Sequence, residues 1–149
     1  MTYSVEELLP HSAPMILVDR LVDYGEEHVV AEIDLDDQHP FFQDGAIPGW
    51  VGIELMAQSV GLFAGIEQRK NNEDITVGFL VGTRRYEAHV PVLPVNVTLR
   101  AECYRIMQED ELSVFQCSLM LGDKVLAEAK LNTFKPLDPQ QYFEGVKHG

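Results

Sequence analysis

The fold is decided by residues 50–66, Trp-Val-Gly-Ile-Glu-Leu-Met-Ala-Gln-Ser-Val-Gly-Leu-Phe-Ala-Gly-Ile. Only Glu54, Gln58 and Ser59 are clearly polar, so a helix formed by this stretch is apolar on nearly every side. Such a helix is buried inside a protein. A membrane span needs about 20 apolar residues, whereas this run is interrupted by Glu54 and Gln58 and is followed by Glu-Gln-Arg-Lys. We therefore expect a buried central helix.

Two glycines extend the polar side of this helix. Gly61 and Gly65 lie at helical spacing beyond Glu54 and Gln58 and form a narrow stripe of small residues. This stripe predicts that another segment packs closely against the helix. A short helix is also predicted near the N-terminus, because Ser4-Val5-Glu6-Glu7 is a capping-box pattern and Pro10 would end what it starts.

The regions on either side of the central helix have the patterns of strands. Residues 15–18 and 28–35 are rich in β-formers and flank a turn at residues 24–27, which predicts a hairpin followed by a loop over residues 36–48. After the helix, apolar residues alternate with polar ones in several runs, as in half-buried antiparallel strands. Gly122-Asp123 is typical of a type II′ turn between two of them.

These elements predict an α+β protein in which one antiparallel sheet wraps around one long helix. We expect residues 1–149 to form one domain, with a core over about residues 8–135 and a loose tail over residues 136–149. Because the helix is apolar on more than one side, we also expect a homodimer or a higher oligomer.

Charge and cysteine content exclude several classes of function. The 149 residues include 24 acidic and 11 basic side chains, a formal charge of −13. Nucleic acids and anionic membranes are bound by basic surfaces, so neither is expected as a partner. Cys103 and Cys117 lack the spacing of a redox motif, and no set of His, Cys and acidic residues has the spacing of a metal site. We therefore expect no bound metal. Because no secretory signal pattern follows Met1, we expect a cytoplasmic protein.

Several short motifs in order resemble the hot-dog-fold 3-hydroxyacyl-(acyl-carrier-protein) dehydratases of fatty acid synthesis. Within that group the sequence is most similar to the divergent dehydratase-like proteins of aryl polyene pigment clusters, and the similarity covers about residues 8–135. The motifs are Leu9-Pro10-His11, Pro14-Met15-Ile16-Leu17-Val18-Asp19-Arg20, Pro40-Phe41-Phe42-Gln43, Ile47-Pro48-Gly49, Glu54-Leu55-Met56-Ala57-Gln58, and residues 78–82 through 92–94.

The resemblance implies a fold and a reaction that needs no cofactor. The fold is a sheet wrapped around a central helix, with active sites at a dimer interface. The reaction removes water from a 3-hydroxyacyl thioester on acyl-carrier protein or coenzyme A to give a trans-2-enoyl thioester. A histidine takes the α-proton, a Glu or Asp on the central helix acts on the hydroxyl, and a backbone amide at the helix start holds the thioester oxygen.

Two of these three groups can be placed on the sequence. Gly49 lies five residues before Glu54, where the free N–H groups of a helix start favour a developing oxyanion. Glu54 lies in an apolar helix, where desolvation favours its protonated, proton-donating form. Gln58, one turn further on, can orient it. Pro48 and Trp50 flank Gly49 and are predicted to contact substrate.

The third group, the histidine, is out of register. In the dehydratases that this sequence resembles, the histidine is the first residue of a His-Phe-Pro-Gly-like segment and lies fourteen residues before the acid. Pro40 occupies that position relative to Glu54 in this sequence. His39 is adjacent and is the candidate base. Two other functions stay open: an acyl thioesterase that uses Glu54, or a catalytically silent subunit that pairs with an active dehydratase supplying the histidine.

A local positive charge follows the central helix. Residues 75–107 have a net charge of +2, and Arg84 and Arg85 are adjacent within them, after a predicted strand. We expect these two arginines to contact a phosphopantetheine arm or an acidic carrier protein.

Overall fold

The computed structural model describes residues 3–9, 16–71 and 80–134. A one-turn helix, α1 (Val5–Leu8), precedes the central helix, α2 (Val51–Lys70). The strands in chain order are β1 (Arg20–Tyr24), β2 (His28–Leu35), β3 (Ile47–Pro48), β4 (Leu80–Ala88), β5 (Val92–Leu93), β6 (Val97–Glu109), β7 (Leu112–Leu121) and β8 (Lys124–Phe134).

Six strands form one antiparallel sheet in the order β1-β2-β6-β7-β8-β4, and β3 pairs with β5 in a separate two-stranded ladder. The large sheet faces α2, and the inward side chains of its strands bury against it. Gly122 has a φ of 58°, and Asp123 does not have a positive φ, as the predicted type II′ turn requires. The predicted architecture, one sheet wrapped around one long helix, is confirmed.

The central helix is longer than its apolar run. It begins at Val51 and continues past Ile66 to Lys70, because Gln68 is buried as well. Glu54 consequently lies in the first turn of the helix.

The glycine stripe on α2 is covered by the N-terminal segment. A β-carbon on Gly65 would lie 2.3 Å from the carbonyl oxygen of Leu8, and one on Gly61 would lie 3.1 Å from Leu9 Cδ2. Only small residues allow α1 to approach this closely. The predicted close packing is present, and α1 is the segment that provides it.

The first predicted strand is displaced along the chain. The hairpin forms between β1 and β2 with Gly25 in its turn, but residues 16–19 lie before β1 and outside the strands, although the N–H of Asp19 donates to the carbonyl of Glu32 at 2.9 Å. Met15 lies outside the described residues. Leu17 and Val18 are buried in the core, and the N–H of Leu17 donates to Gln58 Oε1 at 2.7 Å. The side chain of Gln58 on α2 therefore accepts the hydrogen bond from the Leu17 N–H that a neighbouring strand would otherwise accept. The predicted tail, residues 136–149, also lies outside the described residues.

Arg105 on β6 joins three elements through a buried side chain that is only 6% exposed. Its guanidinium contacts Glu27 at 2.7 Å in the β1–β2 turn and Glu67 at 3.3 Å on α2. It also donates to the carbonyl of Glu26 and lies 4.9 Å from the ring centroid of Phe63. The two carboxylates raise the pKa of Arg105 further, against the effect of burial. This residue holds the hairpin turn against the helix.

Both cysteines are buried. Cys103 and Cys117 are register partners on β6 and β7 and are unbridged. In the described part of the chain, every helix is too short or too polar to cross a bilayer.

Candidate active site

The start of α2 is held against the β3–β5 ladder by Gly49. Its N–H donates to the carbonyl of Pro91 at 3.1 Å, and its carbonyl accepts the N–H of Gly52 at 3.2 Å. A β-carbon on Gly49 would lie 2.8 Å from the carbonyl oxygen of Val90, so only glycine allows the two backbones to approach this closely. The peptide groups before the helix are therefore fixed.

This geometry changes the predicted oxyanion donor. Because the N–H of Gly49 already donates to Pro91, it is not free for a thioester oxygen. Within the described ranges, the N–H groups of Trp50 and Val51 have no hydrogen-bond acceptor, as expected for the first donors of a helix. The free donors thus lie one and two residues after the predicted one. The sequence could not show this, since Pro91 belongs to a distant loop.

Tyr86 on β4 is a residue of the site that the sequence did not indicate. Its hydroxyl donates to the carbonyl of Gly49, and burial raises the pKa of the phenol. The hydroxyl sits over Gly52, where a β-carbon would lie 2.7 Å from it. Gly52 was the available signal, because a glycine in the first turn of a helix indicates a close neighbour.

Glu54 and Gln58 are one turn apart on α2, and they interact. Glu54 is half-buried, and Gln58 Nε2 donates to Glu54 Oε1 at 3.3 Å. Gln58 is buried, and its Oε1 accepts the N–H of Leu17. Because its oxygen is held by a donor, the amide presents its NH₂ group to the carboxylate. The predicted contact between these side chains is present.

His39 lies in the loop between β2 and β3. Its Nδ1 accepts the N–H of Phe41 at 3.1 Å, so the proton of the neutral ring is on Nε2. Burial lowers the pKa of this imidazole, against smaller opposing effects of Asp19 and Asp36. Nε2 itself is buried and has no partner among the described residues. The lone pair of Nδ1 is thus occupied by the N–H of Phe41 in this arrangement, and the role of His39 as the base stays a prediction.

The described histidines make their contacts with residues other than Glu54. Among the described residues, Glu54 makes no hydrogen bond or ion pair with a histidine. His28 contacts Asp23, and His89 contacts Glu128. His11 and His148 lie outside the described residues.

An apolar rim borders the helix start, formed by Phe41, Pro48, Trp50 and Val92. Trp50 is 56% exposed, and its ring meets that of Phe41 edge to face at 5.4 Å between centroids. Pro48 pairs with Val92, which is 46% exposed. The two predicted substrate contacts, Pro48 and Trp50, are therefore both next to the free N–H groups.

Arg84 and Arg85 lie inside β4. The prediction that they follow a strand is therefore wrong. Arg84 is the extra residue of a bulge between Thr83 and Arg85, and both arginines are exposed. Arg85 contacts Glu87 at 2.9 Å, and both of these side chains are substantially exposed. Such a pair contributes little to stability, so both guanidinium groups are accessible to an anion.

Among the described residues, the fold brings together one group of side chains of the types that can bind a metal ion. Atoms of Glu87, His89 and Glu128 lie within 4.8 Å of one another, and His89 Nε2 is 3.3 Å from Glu128 Oε2. Sequence spacing did not reveal this group because Glu128 lies on β8, 39 residues after His89. Arg85 balances the charge of Glu87.

A long helix inside one antiparallel sheet, with a carboxylate and free N–H groups at the helix start, is the arrangement of the hot-dog-fold proteins. The chain belongs to the ApeP-like family, described as ApeP dehydratase, whose model matches residues 3–144.

Similar proteins agree with this assignment. The chain is 32% identical over 136 residues to the 3-hydroxyacyl-[acyl-carrier-protein] dehydratase FabZ of Chlamydia trachomatis serovar L2, covering 86% of this chain and 87% of that one. It is 30% identical over 130 residues to the same-named protein of Alkalilimnicola ehrlichii, covering 83% of each. A chain of the dehydratase heterocomplex ApeI:P from Xenorhabdus doucetiae has a TM-score of 0.87 at 26% identity, covering 98% of this chain and 99% of that one.

These comparisons confirm the predicted family, fold and dehydratase-like function. The enzyme class, a hydro-lyase, is the one that the family and the relatives indicate.

Proposed function

We propose that this chain takes part in the dehydration of 3-hydroxyacyl thioesters carried on acyl-carrier protein, with Glu54 as the acid that protonates the leaving hydroxyl. The observation that carries the proposal is the Leu17–Gln58–Glu54 chain of hydrogen bonds, which fixes the direction of one carboxylate at the start of a buried helix. An oriented acid beside free backbone donors matches the needs of an elimination next to a thioester.

We further propose that the base comes from a second chain. Dehydration needs a group that removes the α-proton, and the described residues place no free histidine nitrogen beside Glu54. A partner of the same fold with its own His-Phe-Pro-Gly-like segment would supply it. The similar structure from Xenorhabdus doucetiae is a dehydratase heterocomplex, which supports a mixed assembly over a homodimer.

The sheet offers a surface for such a partner. Within the described residues, β4 pairs only with β8, so the other edge of this nine-residue strand is open. An open edge strand is a template for pairing with another chain. The apolar rim at the helix start is a second exposed surface that a partner could cover.

The test compares the chain alone with a mixture that also contains a hot-dog dehydratase carrying the His-Phe-Pro-Gly-like segment. Enoyl absorbance from a 3-hydroxyacyl thioester is followed in both, together with free thiol release. The partner dehydratase is also assayed by itself. We expect the mixture to form enoyl thioester faster than the sum of the two proteins assayed separately, with little dehydration by this chain alone. A mixture no faster than this sum would refute the second-chain base, and thiol release without enoyl formation would indicate a thioesterase.

A substitution at His39 sharpens this test. Asn at position 39 can still accept the N–H of Phe41 but cannot act as a base. We expect H39N to keep the activity of the mixture within about two-fold, because His39 serves the loop and not the reaction. A loss of activity of the size typical for a missing general base, about 10²-fold or more, would establish His39 as the base.

The thioester carrier is proposed to dock at Arg84 and Arg85. Both are exposed on the same strand as Tyr86, whose hydroxyl touches the loop before the helix. An acidic carrier or a phosphopantetheine phosphate would meet these guanidinium groups on the exposed surface of β4.

Reversing both charges tests the docking proposal. For the double substitution R84E/R85E we expect KM for a carrier-bound substrate to rise about ten-fold or more, while KM for the same acyl group on a short thiol changes little. Reversal of Lys124, an exposed cation at the start of β8, is the matched control. An unchanged KM for the carrier-bound substrate would show that the carrier docks elsewhere.

A further inference from the structure

The peptide group that joins Gly49 to Trp50 is hydrogen-bonded through its carbonyl and not through its N–H, among the described residues. Its carbonyl accepts two hydrogen bonds, from the N–H of Gly52 and from the hydroxyl of Tyr86. Its N–H, on Trp50, has no acceptor among the described residues. Because a trans peptide is planar, its C=O and N–H point in opposite directions. Whatever fixes this carbonyl therefore also fixes the direction of the free N–H.

From this geometry we infer that Tyr86 is a positioning residue for the reaction, and that the N–H it positions, that of Trp50, is the donor to the thioester oxygen. The inference rests on the proposed function and deepens it. Tyr86 does not touch the substrate in this arrangement. It acts through the Gly49–Trp50 peptide, whose N–H is directed out of the helix start.

The placement of Tyr86 around the helix supports this role. The hydroxyl contacts the side of α2 that carries Gly52. Glu54 lies two residues further on, about 200° around a helix of 3.6 residues per turn. The tyrosine and the acid are thus on opposite sides of the helix start, so the tyrosine can hold the peptide without occupying the space of the substrate.

The hydrogen bond also affects the donor strength of the N–H. A donor on a peptide carbonyl polarises that peptide and strengthens the hydrogen bond made by its N–H. Tyr86 is half-buried, which limits the competition of water for this interaction. An oxyanion donor that is already fixed and polarised costs no reorganisation when the reaction occurs.

Two substitutions disturb this hydrogen bond from different sides. Y86F removes the hydroxyl and keeps the ring. G52A keeps the hydroxyl but places a methyl group 2.7 Å from its position in this structure, so the hydroxyl must move. Y104F is the matched control, since Tyr104 is exposed and stacks on His28.

We expect Y86F and G52A each to lower kcat of the mixture about ten-fold or more, with KM within about two-fold, because a lost transition-state donor acts on kcat. Y104F should match the wild-type chain. Unchanged kcat in Y86F would overturn the inference, as would a fall in activity due only to a higher KM.

A second readout does not depend on activity. The amide resonance of Trp50 in the ¹H–¹⁵N spectrum should move in Y86F and in G52A and stay in place in Y104F, because the hydrogen bond on its peptide carbonyl is lost. If this resonance is unchanged, the inference fails even when the wild-type mixture is active. If the wild-type mixture shows no dehydration, the proposed function fails, and the Trp50 resonance still decides whether Tyr86 fixes the peptide.

Discussion

Replacing Glu54 by glutamine is expected to lower dehydration by the mixture about 10²- to 10⁴-fold, the usual contribution of a general acid. Glutamine has nearly the same shape and can still accept the hydrogen bond from Gln58 Nε2. What it lacks is the carboxyl proton needed by the departing hydroxyl. The fold should therefore persist while the reaction stops.

The measurement is enoyl absorbance under saturating substrate, with circular dichroism to confirm the fold of E54Q. The matched control is E109Q, which removes an exposed carboxyl at the end of β6. Wild-type turnover by E54Q would remove Glu54 from the mechanism. A similar loss of turnover in E109Q would show that the loss in E54Q comes from the change in net charge and not from removal of the catalytic acid.

The largest expected effect on stability comes from Arg105. We expect R105A to lower the free energy of unfolding by about 3 kcal/mol, because hydrogen bonds to charged groups contribute about 1.5–3 kcal/mol each and the contact with Phe63 is lost as well. The remaining carboxylates of Glu27 and Glu67 are substantially exposed and stay solvated, which limits the cost.

Urea unfolding measures this prediction. R105M retains much of the packing, so the difference between the two variants separates the packing part from the polar part. R100A is the matched control: Arg100 pairs with Glu102 on the same strand, but its side chain is 41% exposed, and we expect a loss of at most about 1 kcal/mol. A loss for R105A no larger than that of R100A would contradict the assigned role.

The central helix and the alternating strands were predictable because each depends on a pattern within one segment. The apolar run from residue 50 and the period-two strands after it define layers that can pack in few ways. The glycine stripe predicted a close neighbour, but its identity, Leu8 and Leu9, required the path of the chain.

The errors arose where a backbone group finds a partner far along the chain. Leu17 was assigned to a strand, but its N–H donates to Gln58, 41 residues away. Gly49 was assigned as a free donor, but its N–H donates to Pro91. No local sequence pattern indicates such long-range hydrogen bonds, because almost every residue has the same backbone N–H and C=O groups.

Two further features of the site, the orientation of His39 and the position of Tyr86, have different causes. The orientation of His39 depends on a hydrogen bond to Phe41 within its own loop, which decides which nitrogen carries the proton. Tyr86 reaches Gly49 across 37 residues and through a different strand. Residue types indicated the acid and its partner Gln58, whereas the tautomer of His39 depends on the conformation of its loop and the contact of Tyr86 with Gly49 depends on the tertiary fold.

Trp50 has a practical consequence for the study of this protein. It is the only tryptophan in the chain, more than half exposed, and it sits edge-on to Phe41 at the mouth of the site. Its indole is thus an intrinsic fluorophore at one known point. Arrival of a partner subunit or of an acyl chain at the helix start can be followed by emission of the unlabelled, unmodified chain.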